Sequence, residues 1–337
     1  MRGRAQRGFI LMHALWVLVF LAVLAVGAAS GIRQKMIALE KFNQRSRMNH
    51  VLRGGVQLAA TAVRQTLVAA GFVYTPWAKI QIHNNPVTFA GIFLDEDQAQ
   101  ISYTFIDRGP EERFGVVDEE RKINVNYADG RTLQRLIERV AGLKKEDALR
   151  LAAAILDWRN YGESDIKGFW SGDYYPNLNV PYRKKDANYE SLDELLLVEG
   201  MTKERYERLL DYITVYGGGR VNINTASSAV LGALGLEDEC VEKILAVRRG
   251  KDGIDGSLDD HIFYKPFDVA VEVHTVLKLS SEQMRAIDML NRQGILSCQS
   301  FNFSIAAQGH LPHSDFVKKV RAVLAAKENR IVYWKEK

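Results

Sequence analysis

The chain has 337 residues, 47% of them hydrophobic and 26% charged, which is a globular balance and allows one large or two ordinary domains. Its net charge of +4 is weak support for nucleic-acid binding, because Arg2, Arg4 and Arg7 all lie in the first eight residues. A cut after those residues would leave a net charge of about +1.

An apolar run over residues 9–32 follows the basic lead MRGRAQRG. The run contains no charged residue and only two polar ones, His13 and Ser30. Helix rises by about 1.5 Å per residue, so the run would form about 36 Å of helix, enough to cross the ~30 Å core of a bilayer. The sequence therefore predicts one transmembrane helix over residues 9–32.

Two kinds of processing fit this N-terminus. A cut near residues 28–30 would make the run a signal peptide, although the run is long for one. A cut between Gly8 and Phe9 would leave the helix attached, and this arrangement resembles the type IV prepilin signal. Most proteins with that signal carry Glu at the fifth position after the cut, where it pairs with the amine of a neighbouring subunit. Here that position is His13, which cannot make that ion pair.

From Arg33 to about Ala70 the sequence remains helical and becomes amphipathic. Apolar residues recur in one stripe: Leu52, Val56, Ala59, Val63, Leu67 and Ala70. The early part is basic, with Arg33, Lys35, Lys41, Arg45, Arg47 and Arg53. We interpret these charges as a solvated helix face near the membrane rather than a nucleic-acid patch. Gly54 and Gly55 predict a bend or break, because each costs up to about 1 kcal/mol inside a helix.

Residues 72–121 change to a strand-like pattern. Three short segments rich in β-branched or aromatic residues lie at 79–82, 87–94 and 99–107, separated by polar turns. We expect them to form an antiparallel sheet that covers the apolar stripe of the long helix.

The middle of the chain contains an internal repeat. The segments GVVDEERKINVNYADGRTLQRL (115–136) and RVNINTASSAVLGAL (220–234) share an apolar-Asn-apolar-Asn run that leads into a helix. The first of these helices should begin near Asp129 or Thr132. Asn side chains bond neighbouring backbone groups, so Asn126 and Asn224 are predicted to be structural brackets at turns rather than catalytic residues.

Each repeat continues as helix, tight turn, helix. Gly142, Gly200 and Gly235 stand where such turns need positive φ, and residues 266–290 look like a fourth pair with Ser280 as N-cap. Helix-hairpin-helix pairs also bind DNA phosphates, which gives a second hypothesis. The third hairpin is acidic, and this favours a structural use of the pairs.

Two polar loops separate the helical pairs. Loop 157–188 carries Glu163, Asp165 and Asp173, and loop 250–261 reads GKDGIDGSLDDH. Clustered carboxylates on Gly-rich loops supply ligands to Ca²⁺, although neither loop has the spacing of a known calcium loop, so each is equally well a solvated acidic loop. Cys240 and Cys298 form either a disulfide, as an exported protein allows, or two unpaired buried thiols.

The C-terminal segment returns to strands. Residues 300–309 alternate, residues 316–326 are mostly apolar, and residues 330–335 form a short last strand. This predicts an antiparallel meander that completes the sheet begun at residue 79. The fold class is therefore α+β: a long N-terminal helix packed on an antiparallel sheet, with a large inserted α-helical domain of helix-hairpin-helix-like repeats.

With these features the chain resembles the general secretion pathway protein K family, the K-type minor pseudopilins of the type II secretion system. The resemblance covers nearly the whole chain. It rests on the prepilin-like start, the GVVDEERKINVN block, residues 181–201 (PYRKKDANYESLDELLLVEGM), the VNINTA block and the C-terminal strands. Members of the family typically lack Glu at the fifth mature position, which fits His13.

The resemblance implies a domain order: leader 1–8, transmembrane helix 9–32, pseudopilin α/β domain 33–121 and 296–337, and inserted helical domain 122–295. It implies an inner-membrane protein with a periplasmic C-terminal domain, cleaved by prepilin peptidase between Gly8 and Phe9. It also implies a cap on the pseudopilus tip that helps to start assembly, with I- and J-type minor pseudopilins as partners. Some relatives bind calcium in the insertion, and this makes Glu163, Asp165 and Asp173 candidate ligands.

An enzymatic function is not predicted. The seven histidines show no metal-ligand spacing, and neither a phosphate loop nor a Ser-His-Asp or Cys-His grouping is visible. Two alternatives remain: a membrane-tethered DNA-binding or DNA-uptake protein that uses Lys144, Lys145 and Lys203, and a minor pilin of a type IV pilus.

Overall fold

The computed structural model describes residues 3–94, 97–105, 111–159, 174–311 and 317–336. In these ranges the α-helices are α1 Gly3–Ala69, α2 Pro76–His83, α3 Pro86–Phe89, α4 Gly130–Ala141, α5 Lys145–Arg159, α6 Lys203–Leu209, α7 Ser228–Ala233, α8 Asp238–Arg248, α9 Val269–Leu277 and α10 Ser281–Arg292. The strands are β1 Ile92–Leu94, β2 Asp97–Phe105, β3 Glu111–Phe114, β4 Val117–Asp118, β5 Ile123–Asn124, β6 Ile213–Thr214, β7 Val221–Asn222, β8 Leu296–Ser297, β9 Asn302–His310, β10 Val317–Ala325 and β11 Arg330–Glu336. Short 3₁₀ helices cover Glu119–Arg121, Tyr175–Asn177, Leu192–Leu197 and Pro266–Asp268.

Two hydrophobic cores divide the molecule. One lies between α1 and a large sheet and contains residues from Met48 to Val116 and from Phe303 to Ala326. We call the part around it, residues 48–118 and 301–336, the body. The other core lies among the inserted helices and runs from Ile123 to Cys298. We call residues 122–298 the head.

Helix α1 is continuous through Gly54 and Gly55, so a break at these residues is wrong. A Cβ at Gly55 would lie only 2.8 Å from the Cβ of Ala99 on β2. The glycine lets the helix come close to the sheet, so packing explains its presence inside a helix. The predicted stripe is the buried face of α1, since Leu52, Val56, Ala59, Val63 and Leu67 are all buried.

The body sheet has the strand order β1-β2-β9-β10-β11, and all of its pairs are antiparallel. β3 pairs with β2, and β4 pairs with β9. The predicted C-terminal meander is therefore confirmed, with Phe303, Ile305 and Ala307 of β9 in the core against α1. Strands on either side of the head in sequence belong to one sheet, so the head is an insertion.

Residues 79–82 were expected to form a strand, but they belong to α2. Thr75 caps this helix by accepting a hydrogen bond from the N–H of Ala78, and Pro76 stands in its first turn. Ala78 and Ile82, four residues apart, bury one side of the helix. The sheet consequently begins at Ile92 and not at residue 79.

The second expected strand is mostly wrong for a similar reason. Pro86 starts α3, and the Asn85 side chain caps it by accepting from the N–H of Thr88. Only Ile92–Leu94 of this segment is strand, whereas the third expected strand is present as β2.

The head consists of two repeats, each of which begins and ends with a short strand and has helices between the two strands. The first runs from β5 through α4, α5 and α6 to β6, and the second from β7 through α7, α8, α9 and α10 to β8. In each repeat the first and last strands are parallel neighbours, with Ile123 opposite Ile213 and Val221 opposite Leu296. The internal repeat predicted from the sequence is confirmed.

The turns between helices have the expected backbone. Gly142, Gly200 and Gly235 have φ of 66°, 76° and 101°. In the fourth pair Lys278 takes this left-handed conformation, and Ser280 forms a capping box with Gln283 at the start of α10. α4 begins at Gly130 with Asp129 as its N-cap, as predicted.

The head is attached at the end of the body farthest from the apolar part of α1. Beyond the C-terminal end of α1, the ring of Phe72 lies 6.4 Å from the ring of Phe301, where the chain leaves the head. At the other end of β9, Gly309 lies against Met48, near the start of the buried part of α1. β9 therefore runs back towards the apolar segment, and the head lies at the distal end.

Candidate functional sites: the apolar helix and the head–body junction

In the described part of the chain, one helix is long and apolar enough to cross a membrane, and it is α1. Residues 11–30 are exposed along their whole length, and within the described ranges this apolar segment packs against no protein core. Gly8 and Phe9 lie within α1, upstream of that segment, and His13 lies in it. The predicted processing site and polar position are thus on one uninterrupted helix that continues into the body.

Five consecutive charged residues form the connection between body and head: Asp118, Glu119, Glu120, Arg121 and Lys122, all of them buried. Asp118 ends β4 of the body, a short 3₁₀ helix covers Glu119–Arg121, and Lys122 leads into β5 of the head. Since a buried charge is costly unless it is paired, the partners of these residues determine how the head is held.

Asp118 joins three segments that are far apart in sequence. Its carboxylate accepts hydrogen bonds from Ser300 Oγ at 2.6 Å, Thr225 Oγ1 at 2.5 Å and Asn222 Nδ2 at 3.2 Å. Burial raises the pKa of Asp118, and the bonds from Ser300 and Thr225 oppose that rise. The start, middle and end of the insertion therefore meet at one carboxylate.

Glu119 lies between two cations. Its Oε1 atom is 3.0 Å from Lys122 Nζ and 3.4 Å from Arg321 Nη2 on β10. Burial alone would raise the pKa of Glu119, but Lys122 and Arg321 outweigh it and hold the pKa at about 2. The carboxylate is thus a fixed negative charge that ties the junction to the body sheet.

The pKa of Glu120 is raised, whereas that of Glu119 is lowered. Burial and the nearby Asp118 carboxylate raise the pKa of Glu120 to about 8. Its side chain accepts hydrogen bonds from the N–H groups of Phe301 and Asn302, at 3.3 and 3.0 Å, and from Asn302 Nδ2 at 2.7 Å. It therefore holds the segment in which the chain leaves the head.

A second contact between body and head uses the acidic loop 250–261. Lys79 of α2 is buried and forms ion pairs with Asp255 and with Asp260, the latter at 2.6 Å. Arg248 lies 3.7 Å from Asp255, and Arg248 and Lys79 hold the pKa of Asp255 below its usual value despite burial. For these two carboxylates both interpretations of the loop, calcium ligands and solvated acids, are wrong, because Lys79 of the body and Arg248 of the head together balance their charge.

A third contact fixes the first repeat to the sheet edge. Asp193 of the head accepts a hydrogen bond from Tyr206 Oη at 2.7 Å and pairs with Lys335 of β11. Nearby, the rings of Tyr216 and Tyr333 pack edge to face with centroids 6.2 Å apart. Polar and ionic contacts thus hold the head at three places.

The predicted brackets occupy equivalent places in the two repeats. Asn126 donates to the carbonyl of Tyr189 and accepts from its N–H, and Asn224 does the same with Phe263. The structural role expected for both residues is confirmed.

The metal candidates Glu163, Asp165 and Asp173 lie outside the described residues. Among the residues that are described, no group of three or more His, Cys, Asp or Glu side chains is arranged to hold a metal ion. Cys240 and Cys298 are buried free thiols, and burial raises their pKa to about 11 and about 12. Such thiols remain protonated and unreactive at neutral pH.

The third hairpin, residues 233–241, has the acidic side chains that disfavour DNA binding, and it packs against α4. Asp238 accepts a hydrogen bond from Arg139 at 2.7 Å, and a Cβ at Gly235 would come within 2.8 Å of Arg135 Nη1. The turn of this hairpin therefore contacts basic side chains of the head itself.

Sequence reasoning did not single out Lys79, Asp118 or Arg321. For Asp118 a signal was present, because DEERK is an unbroken charged run between the apolar residues Val117 and Ile123. Lys79 gave no local signal, since its partners lie more than 170 residues away.

A long, partly apolar helix packed on an antiparallel sheet defines a pilin-like protein, here with a helical insertion. Residues 115–218 match the family model for the type II secretion system protein K. The type II secretion system protein K of Pseudomonas aeruginosa is 26% identical over 270 residues, which cover 76% of each chain. That of Pectobacterium carotovorum is 30% identical over 93 residues, 27% of this chain and 28% of the relative.

The fold has a solved counterpart. A chain in the crystal structure of the GspK–GspI–GspJ complex from enterotoxigenic Escherichia coli superposes with a TM-score of 0.63 at 12% identity, covering 89% of this chain and 99% of that one. Together the comparisons confirm the resemblance of this chain to the protein K family of the type II secretion system.

Proposed function

We propose that the chain is a non-enzymatic minor pseudopilin of the type II secretion system. Residues 9–32 anchor it in the bacterial inner membrane, and the body and head lie in the periplasm. The similarity to protein K sequences and the exposed apolar segment of α1 support this role. Prepilin peptidase cuts between Gly8 and Phe9, so the anchor stays on the protein.

The position of the head supports the proposed place of this protein at the tip of the fibre. The head joins the body at the end of α1 that is distant from the apolar segment, next to Phe72 and Phe301. A fibre that grows out of the membrane would place this end outermost, where the head leaves no room for a further subunit. The protein therefore caps the tip and helps to start assembly.

His13 suits that position. In the proposed cap no subunit is added above, so no incoming amine needs a carboxylate partner at the fifth mature residue. A neutral imidazole costs less than a carboxylate inside lipid.

The partners proposed are the I- and J-type minor pseudopilins, as in the solved complex named above. The test is co-expression of the full-length chain with candidate I- and J-type subunits, followed by purification in mild detergent. We expect a complex containing all three chains. Purification of this chain alone, or with the pilins of a type IV pilus, would contradict the proposal.

A further inference from the structure

A basic stretch of α1 separates the apolar segment from the body. We call residues 33–47 the neck: they follow Ile32 and precede Met48, where the buried face of α1 begins. Fifteen residues of helix extend about 22 Å. The neck carries one acidic residue, Glu40, and five basic ones, Arg33, Lys35, Lys41, Arg45 and Arg47.

Four of these five basic side chains are available to an outside partner. Arg47 is bound to the body, since its guanidinium lies 2.6 Å from Asp97. Arg33, Lys35, Lys41 and Arg45 are exposed on the helix. The neck therefore presents a net positive charge between the apolar segment and the body.

The direction of the helix brings these charges close to the bilayer surface. Side chains on a helix tilt towards its N-terminus, which here is the side of the apolar segment. Lys35 and Lys41 lie about 4.5 and 13.5 Å beyond Ile32 along the axis. The headgroup layer is about 5–7 Å thick, and electrostatic attraction extends about 8–10 Å further. Arg33 and Lys35 thus lie in the headgroup layer and Lys41 within reach of it.

The basic side chains of the neck are spread around the helix. At about 100° per residue, Lys41 and Arg45 share one side of α1, Arg33 lies roughly 100° from them in one direction, and Lys35 lies roughly 100° from them in the other. Three apolar residues, Met36, Leu39 and Phe42, are 66%, 62% and 69% exposed and lie on the same part of the helix surface as Lys35. Headgroups on different sides of the helix can therefore each meet a basic side chain.

We propose that Arg33, Lys35 and Lys41 bind anionic phospholipid headgroups at the membrane surface below the body. This inference rests on the proposed membrane anchoring by residues 9–32. A charge near an anionic surface is worth about 1 kcal/mol, so a lipid position next to one of these side chains prefers anionic lipid about fivefold. The neck thereby sets how deeply the anchor lies and makes its withdrawal from the bilayer dependent on lipid composition.

The test is lipid selectivity measured by electron paramagnetic resonance. Full-length protein is reconstituted in phosphatidylcholine vesicles that contain spin-labelled phosphatidylglycerol or spin-labelled phosphatidylcholine. We expect the protein to immobilise phosphatidylglycerol several-fold more than phosphatidylcholine, and high salt to reduce this difference. The triple variant Arg33→Gln, Lys35→Gln, Lys41→Gln should lose most of the selectivity.

Arg64→Gln is the matched control, because Arg64 is exposed on the same helix about 48 Å beyond Ile32. It should leave the selectivity unchanged. Equal immobilisation of the two lipids by the wild type would overturn the proposal and leave the anchor intact, as would a selectivity that survives in the triple variant. Failure to immobilise either lipid would instead refute the membrane anchor.

Discussion

Asn126 and Asn224 make the same two hydrogen bonds in the two repeats of the head, each to the N–H and C=O of one distant residue. Asn224 is completely buried and also donates to the carbonyl of Cys298 at 3.3 Å. Its replacement would leave buried backbone groups of Phe263 without a partner. In each repeat one Asn side chain therefore ties the turn after the first strand to a loop residue of the same repeat.

We expect Asn224→Ala to lower the free energy of unfolding by about 2–4 kcal/mol, because unsatisfied buried groups cost about 1–3 kcal/mol each. Chemical denaturation measured by circular dichroism tests this. Asn43→Ala, at an exposed position of the neck, is the control and should change stability by less than about 0.5 kcal/mol. Equal effects of the two changes would show that the bracket is not needed.

Gly55→Val should disturb the contact between α1 and β2. Valine has a higher helix propensity than glycine, but its side chain would overlap Ala99, and overpacking costs about 1–3 kcal/mol. We expect a lower melting temperature for Gly55→Val and almost none of this loss for Gln57→Val, which is exposed on the same helix. An increase in stability on changing Gly55 would contradict the close packing of α1 on β2 as the reason for the glycine.

Lys79→Met should weaken the contact between head and body. It leaves the buried carboxylates of Asp255 and Asp260 without their ammonium partner, and breaking such a buried pair costs about 3–5 kcal/mol. Urea denaturation of the variant measures this loss. Lys203→Met is the control, since Lys203 is 84% exposed and lies 3.8 Å from Glu207. If both variants lose the same stability, the loop does not depend on Lys79.

Glu120 should make stability fall as the pH rises from about 4.5 to about 8. In the unfolded chain its carboxyl loses the proton near pH 4.5, whereas in the fold it keeps the proton up to about pH 8. The folded state therefore binds more protons, and its advantage is complete below pH 4.5 and lost as the pH approaches 8. The pKa of His83 is lowered by burial to about 3, so His83 affects stability only below about pH 6.5.

Melting temperatures between pH 6.5 and 8 measure this effect in wild type and Glu120→Gln. The wild type should lose up to about 2 kcal/mol over this range, and the variant should lose clearly less. Glu112→Gln, on the exposed part of β3, should follow the wild type. Parallel curves for wild type and Glu120→Gln would mean that the Glu120 carboxyl is ionised throughout.

Gly8→Val should block removal of the leader. Mass spectrometry of the membrane-bound protein is expected to find N-methylated Phe9 at the mature N-terminus of the wild type and Met1 or Arg2 in the variant. Gly3→Val, inside the leader, should be processed normally. A wild-type protein that begins at Met1, or near Ser30, would remove the basis for a prepilin-type signal.

The elements that depend on local periodicity could be predicted. The stripe from Leu52 to Leu67 has a helical period and is buried as expected, and the alternation of Phe303, Ile305 and Ala307 identifies β9. In α2 the local rule failed, because the run Lys-Ile-Gln-Ile alternates like a strand while Thr75 and Pro76 start a helix ahead of it. The helix-start signals at Thr75 and Pro76 therefore outweighed the strand-like alternation of residues 79–82.

The head–body contacts could not be predicted, because each joins residues that the sequence keeps far apart. Asp118 meets Ser300 across 182 positions, and Lys79 meets Asp260 across 181. Acidic residues in loop 250–261 have the same local sequence whether they bind an ion, water or a lysine of the body. Only the fold brings that lysine to them.

The pairing of Val117 with Ser304 and of Asp118 with Phe303 has a consequence for how the molecule is made. Because the two ends of the insertion leave from one directly paired position, Asp118 opposite Phe303, loop-closure entropy opposes this pairing until the intervening polypeptide has become compact. The same adjacency means that a short linker between β4 and β9 could replace the whole insertion while keeping the strand register. This pairing would allow the size of the head to change without a change in the pilin-like framework beneath it.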